Sequence, residues 1–122
     1  MPDAQVALAE MMLNGRGGPR KPGLARELFE KAAERDHSGA MFALGALWAG
    51  GYDWPADRAA ALDWFRAAAE LGHGVAQMMV GRYLLAGVTG DPSPEEGRIW
   101  LERAAAQGIT EAEQDLLPLS AE

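Results

Sequence analysis

His37 and His73 are the side chains of this sequence best suited to hold a metal or to move a proton near neutral pH. They stand 36 positions apart, and Ile109 occupies the next position at that interval, so no third ligand continues the series. On a stacked fold that spacing would put the two rings about 10 Å apart, too far to share one zinc-sized ion. The chain contains no Cys, which excludes thiolate metal sites, disulfide frameworks and a cysteine nucleophile. Its hydroxyl candidates are Ser38, Ser93 and Ser120, none in a serine-lysine or serine-histidine pattern, and Ser93 precedes a helix-start signal. Glu27, Glu30, Glu34, Asp63 and Glu70 share helical spacing with Lys31, Arg35 and Arg66, the arrangement of a solvated helix face. Gly15-Arg16-Gly17-Gly18 is glycine-rich, but it joins two helical stretches and does not follow a strand, so it reads as a connection and not as a phosphate cradle. Arg16, Arg20 and Lys21 form a small basic cluster beside it, read as loop charge or as a contact for an acidic partner. The expectation from this inventory is a protein that is not an enzyme and needs no cofactor and no metal.

The elements that carry these residues recur at one interval. Ala4, Ala40, Ala76 and Ala112 are each 36 positions apart, and the register holds without a gap. Leu8, Leu44 and Val80 form one column, and Ala9, Gly45 and Gly81 form the next. Gly15, Gly51 and Gly87 follow, then Leu28, Trp64 and Trp100, then Phe29, Phe65 and Leu101. Paired alanines at 32–33, 68–69 and 104–105 close the unit. A period of this length, built from two amphipathic segments, is the mark of a helical solenoid in which each unit borrows its neighbour's apolar face.

Each unit reads as a first helix (A), a loop, a second helix (B) and a short turn. The A helices are expected near 3–13, 39–49 and 75–86, the B helices near 23–35, 57–71 and 94–107, and a last helix near 110–117. The fold class is therefore all-α: a superhelix of three 36-residue units (about 4–39, 40–75 and 76–111) with a partial fourth, 112–117, as a C-terminal capping helix. No alternating run of β-branched residues supports a strand. Ser93-Pro94-Glu95-Glu96 predicts a capped helix start, with Ser93 as cap, Pro94 at the first helical position and Glu96 closing a capping box. Asp57 is the equivalent cap, whereas Lys21 has no capping oxygen. Gly72 and Gly108 are placed to end B helices in a left-handed conformation, a role that falls to Asp36 in the first unit. Gly45 and Gly81 sit inside helices, where glycine costs about 1 kcal/mol relative to alanine, which predicts close approach of a neighbouring helix.

Charge and hydropathy limit the partners. Eighteen acidic against 11 basic residues give a net charge of -7, opposite to the basic footprint of nucleic-acid or anionic-membrane binding. No apolar run is long enough to span a bilayer and the first residues lack a signal-peptide pattern, so a cytoplasmic, monomeric protein is expected, or a periplasmic one if the chain is a fragment.

Ala-Met-Phe-Ala-Leu-Gly at 40–45, Ala-Gln-Met-Met-Val-Gly at 76–81 and Phe-Arg-Ala-Ala-Ala-Glu-Leu-Gly-His at 65–73 resemble Sel1-like repeats, relatives of the tetratricopeptide repeat. The resemblance covers about residues 4–117. It departs from the usual pattern at Ala9, where glycine is expected, at Trp54 and Gly90 in the loops, and at Leu84, where an aromatic is usual. What the resemblance implies is a right-handed α-solenoid that serves as a non-catalytic protein–protein interaction module: an adaptor, scaffold or regulator. The alternatives are a repeat segment of a larger signalling or envelope protein and an inhibitor or immunity-type partner.

Helix phase then nominates a binding face. Ala40, Leu44 and Trp48 define the side of an A helix turned to the B helices. The opposite side carries Val6, Glu10 and Leu13 in the first unit, Phe42, Ala46 and Ala49 in the second, and Met78, Arg82 and Leu85 in the third. This face is expected to line a concave groove that takes a peptide or helix of a partner protein, with Val6, Phe42 and Met78 as an exposed apolar stripe. Trp64 and Trp100, which repeat in register, are expected in the inter-repeat core. Trp54 breaks its column and reads either as packing between adjacent B helices or as an exposed anchor for the partner.

Overall fold

Helix follows helix at the spacing of the repeat. The computed structural model describes residues 2–14, 21–50 and 54–120. The A helices are α1 (Pro2–Asn14), α3 (Ser38–Gly50) and α5 (Gly74–Ala86), and the B helices are α2 (Pro22–Ala33), α4 (Arg58–Glu70) and α6 (Pro94–Ala106). α7 (Thr110–Ser120) follows as an A-type helix. There is no strand among the described residues. The segments around Arg16 and Gly18 and around Tyr52 lie outside the described residues, so the basic cluster proposed with Arg16 and Arg20 is not placed.

Each A helix packs on its own B helix, and each B helix on the next A helix. The pairings α1–α2, α3–α4 and α5–α6 make the units, while α2–α3, α4–α5 and α6–α7 join them. The columns that repeat in sequence meet in these contacts. Ala32, Ala68 and Ala104 are fully buried, as are Leu44, Val80 and Leu101, and Phe29 and Phe65 keep 1% of their surface. Trp100 is buried and Trp64 half-buried, both packed in the core.

The glycines inside helices are explained by contact. A Cβ on Gly45 would stand 2.5 Å from the Phe65 ring. One on Gly81 would stand 2.8 Å from Leu101 and 2.9 Å from the Gly97 carbonyl, so the α5 and α6 backbones approach too closely for any side chain. Where the first unit has Ala9 in this column, the alanine is fully buried.

Turns repeat as faithfully as the core. Asp36, Gly72 and Gly108 have φ of 61°, 94° and 87°, and the next residue's N–H in each case returns to a carbonyl of the B helix, Ala32, Ala68 or Ala104, at 3.1 to 3.3 Å. Asp36 therefore takes the left-handed position without being glycine. At each B-helix start, the N–H of the residue before the helix donates across to the A helix: Lys21 to Met12, Asp57 to Trp48 and Ser93 to Leu84, at 2.7 to 2.8 Å.

That last bond corrects the expected capping box. The Ser93 N–H is already spent on Leu84, so Glu96 has no amide to reach back to, and Ser93 makes no side-chain capping bond. Glu96 instead accepts from Arg66 of α4 at 2.8 Å and from the Trp100 indole at 3.2 Å. These bonds hold its carboxyl below the usual carboxylate range, the Arg66 hydrogen bond contributing most. Asp57 does cap, accepting from the Ala60 N–H at 3.0 Å, and Lys21 does not. α7 also runs three residues beyond its expected end. Pro118 lies within it, while Arg98 of α6 donates to the Leu119 carbonyl at 3.1 Å and Leu116 and Leu119 pack on the core around Met78 and Leu101.

Candidate interaction surface

The two histidines are built into the backbone. Nδ1 of His37 accepts from the Ala40 N–H at 3.0 Å, and Nδ1 of His73 accepts from the Ala76 N–H at 3.1 Å, so each ring caps an A helix. That role requires a neutral ring with its proton on Nε2, and on His37 this atom donates to Asp3 at 3.0 Å. His73 stacks on Phe42 at 4.9 Å, and burial pushes its pKa below 6.5. The carboxylates Glu27, Glu34, Asp63 and Glu70 are exposed and Glu30 is half-buried; Glu30 and Glu34 line an open hollow of about 430 Å³ with Ala33 and Trp64. Among the described residues no group of three or more histidine or acidic side chains is arranged to hold a metal.

The outward side of the A helices is only partly as expected. Glu10, Ala46 and Arg82 are exposed, one from each A helix. Leu13, Ala49 and Leu85 beside them are half-buried. The exposed apolar stripe of Val6, Phe42 and Met78 is a correction: Met78 keeps 5% of its surface, and Val6 and Phe42 are half-buried against the core. The cause is the joint between units. Phe42 lies between Phe65, at 5.4 Å, and the capping ring of His73, so this column is consumed by packing along the stack.

Two side-chain groups at this surface were not legible in the spacing. Arg82 donates to Asp115 of α7 at 2.6 Å and again at 3.4 Å, tying two A-type helices together across the outward face. Beside that pair, Leu85, Ala86, Gln114 and Pro118 complete an open cleft of about 410 Å³. Between the second and third units, Gln77 is buried and donates to the Ala69 carbonyl at 3.2 Å, while Gln107 donates to Gln77 at 2.8 Å and to the Gly72 carbonyl at 2.9 Å. Neither group follows a column, since the first joins residues 33 apart and the second uses Gln107 where earlier units have Arg35 and Leu71.

Trp54 is half-buried and packs against the core. Its ring meets Trp48 of α3 at 5.9 Å, and the Arg26 guanidinium of α2 lies over both rings, 4.6 Å from Trp54 and 5.5 Å from Trp48. The exposed-anchor reading of Trp54 is therefore corrected, because the indole serves as one wall around Arg26. Its packing joins a B helix to the following A helix, and not two B helices.

Comparison with known proteins follows the same 36-residue frame. The family model described as Sel1 repeat matches three times in succession, over residues 2–37, 38–73 and 74–109. Among solved structures, a Sel1 repeat protein from Oxalobacter formigenes is similar at 29% identity and a TM-score of 0.89, over 95% of this chain and 46% of that one. This chain thus spans less than half the length of that relative. A protective antigen of uropathogenic Escherichia coli with an SLR fold is 24% identical over 95% of this chain and 32% of that one, with a TM-score of 0.48. An immunity protein from Pseudomonas aeruginosa is 22% identical over 94% of this chain and 56% of that one, with a TM-score of 0.49. No curated protein matches the chain.

Proposed function

The chain belongs to the Sel1 repeat family, whose members are generally non-catalytic protein-interaction modules, and from that premise we propose that it binds a helix or extended segment of a partner protein along the outward face of its A helices. The observation that carries this reading is the column Glu10, Ala46 and Arg82, which is exposed in all three units and changes from acid to small to base along the stack. Core columns such as Ala32, Ala68 and Ala104 keep one chemical type. A column open to solvent that varies in charge supplies specificity, and its half-buried neighbours Leu13, Ala49 and Leu85 supply an apolar floor. The proposed partner segment lies with a basic group near Glu10 and an acidic group near Arg82. Ala46, at the centre of the column, leaves room for the segment to cross.

Affinity capture from the native cell, comparing the parent with Ala46→Arg and with Arg82→Glu, tests the proposal. Ala46→Arg is expected to cut recovery of the partner at least tenfold with a melting temperature close to the parent's, and Arg82→Glu to reduce recovery less while lowering the melting temperature, because it also breaks the pair with Asp115. Undiminished recovery with both variants would move the site off this face.

A further inference from the structure

The two joints between successive B helices carry different chemistry. Between α4 and α6, Arg66 donates to Glu96 at 2.8 Å, and the Trp100 indole donates to the same carboxylate at 3.2 Å. The Arg103 guanidinium lies over the Trp100 ring, 4.7 Å from its centre. Indole and carboxylate together thus engage two guanidinium groups. Between α2 and α4 the same columns hold Trp64 in place of Trp100, but Glu30 in place of Arg66, Ala60 in place of Glu96 and Ala67 in place of Arg103. Both cations of the later joint are missing here, and an acid stands where one of them was. What is left is the open hollow of about 430 Å³ walled by Trp64, Ala33 and the carboxylates of Glu30 and Glu34. Lys31 and Arg35 flank these acids along α2, yet among the described residues neither carboxylate has a basic group within 4.0 Å, and the Trp64 indole makes no hydrogen bond. Arg26, one helical turn before Glu30, is engaged by Trp54 and Trp48.

We propose that this hollow binds an arginine side chain of a partner polypeptide. The guanidinium plane stacks on the Trp64 ring, as that of Arg103 lies over Trp100, and its N–H groups donate to Glu30 and Glu34. The methylene stem lies along Ala33, where an apolar wall suits it. Arginine fits this lining better than lysine, because only a planar cation can stack on an indole and fork to two carboxylates at once. A net charge of -7 favours the approach of a basic partner. All four lining residues belong to B helices, so the site stands apart from the outward column of the A helices, and either can fail without the other.

The test is an NMR titration of the full, isotope-labelled chain with the peptide acetyl-glycyl-arginyl-glycine amide at constant ionic strength, followed on the Trp64 indole N–H and the Ala33 amide. Saturable shifts of both signals are expected, with a millimolar Kd. The same peptide with citrulline, which keeps the shape of arginine and loses its charge, is expected to bind at least about tenfold more weakly. Methylguanidinium and the lysine peptide are each expected to bind at least about threefold more weakly. Glu30→Gln and Trp64→Leu should each weaken binding of the arginine peptide at least about fivefold. The leucine is the residue that the first unit has in that column, Leu28, and Glu30→Gln alters a side chain outside the core, so at least one variant keeps the parent's fold. No saturable shift, equal binding of the citrulline peptide, or undiminished binding by Glu30→Gln overturns the proposal. Equal binding of methylguanidinium would overturn the assignment to a polypeptide, and equal binding of the lysine peptide the assignment to arginine.

Discussion

Leu8 and Leu44 hold the same column of the repeat with the same side chain, yet Leu44 is fully buried and Leu8 keeps 44% of its surface. The difference lies outside the helices that carry them. α2 lies across α3, and among the described residues no helix lies across the matching face of α1. Helix phase assigns a side chain to a face, but only the neighbouring unit turns that face into core. An interior A helix is thus held from two sides and the first from one.

The comparison is sharpened most by making the same deletion at both positions. Leu44→Ala is expected to destabilise by about 2–5 kcal/mol, the range for a fully buried leucine, and Leu8→Ala by less than about 1 kcal/mol. Chemical denaturation of the two variants checks this, and equal losses would break the contrast. Next in size is Gly81→Leu. The added side chain would meet Leu101 and the Gly97 carbonyl, and overpacking of this kind costs about 1–3 kcal/mol. A variant as stable as the parent would show that α5 and α6 can separate there.

Helix starts give a smaller contrast. Asp57→Ala removes an observed capping bond and should cost about 1 kcal/mol, whereas Ser93→Ala removes no capping bond and should fall within about 0.5 kcal/mol of the parent. Thermal melts resolve the pair. The smallest effect expected is on pH. His73 is lowered below 6.5 by burial, so the unfolded chain takes up the proton more readily than the folded one. Its contribution to stability is complete above about pH 6.5 and is lost as pH falls through the lower, folded-state value. His73→Asn keeps a capping oxygen without a titrating ring, and should flatten the stability profile between about pH 7 and 5. An unaltered slope would place the titration elsewhere.

Most of the fold was legible because the repeat supplies its own alignment. The interval of 36 set the helices, Gly72 and Gly108 marked their ends, and Gly45 and Gly81 pointed to close crossings that the Phe65 and Leu101 contacts account for. Asp36 in a left-handed turn was readable only because its column holds glycine elsewhere. The candidate surface was less legible, and the misses share a physical cause. Val6, Phe42 and Met78 have the phase of an outward stripe, but helix phase is blind to a ring arriving from the next turn, and His73 does arrive over Phe42. Glu96 had the spacing of a capping box, and spacing could not show that the Ser93 N–H is claimed by Leu84. Arg26 between two indoles joins three segments that no local pattern connects.

Native-state amide hydrogen exchange tests most directly the central claim, that each A helix is completed by the B helix before it. Amides of residues 8–12 in α1 are expected to exchange at least about tenfold faster than those of residues 44–48 in α3, through local opening of a helix held from one side. Equal protection of the two segments would contradict the account, since α1 would then be as firmly held as an interior helix without the neighbour that the others have.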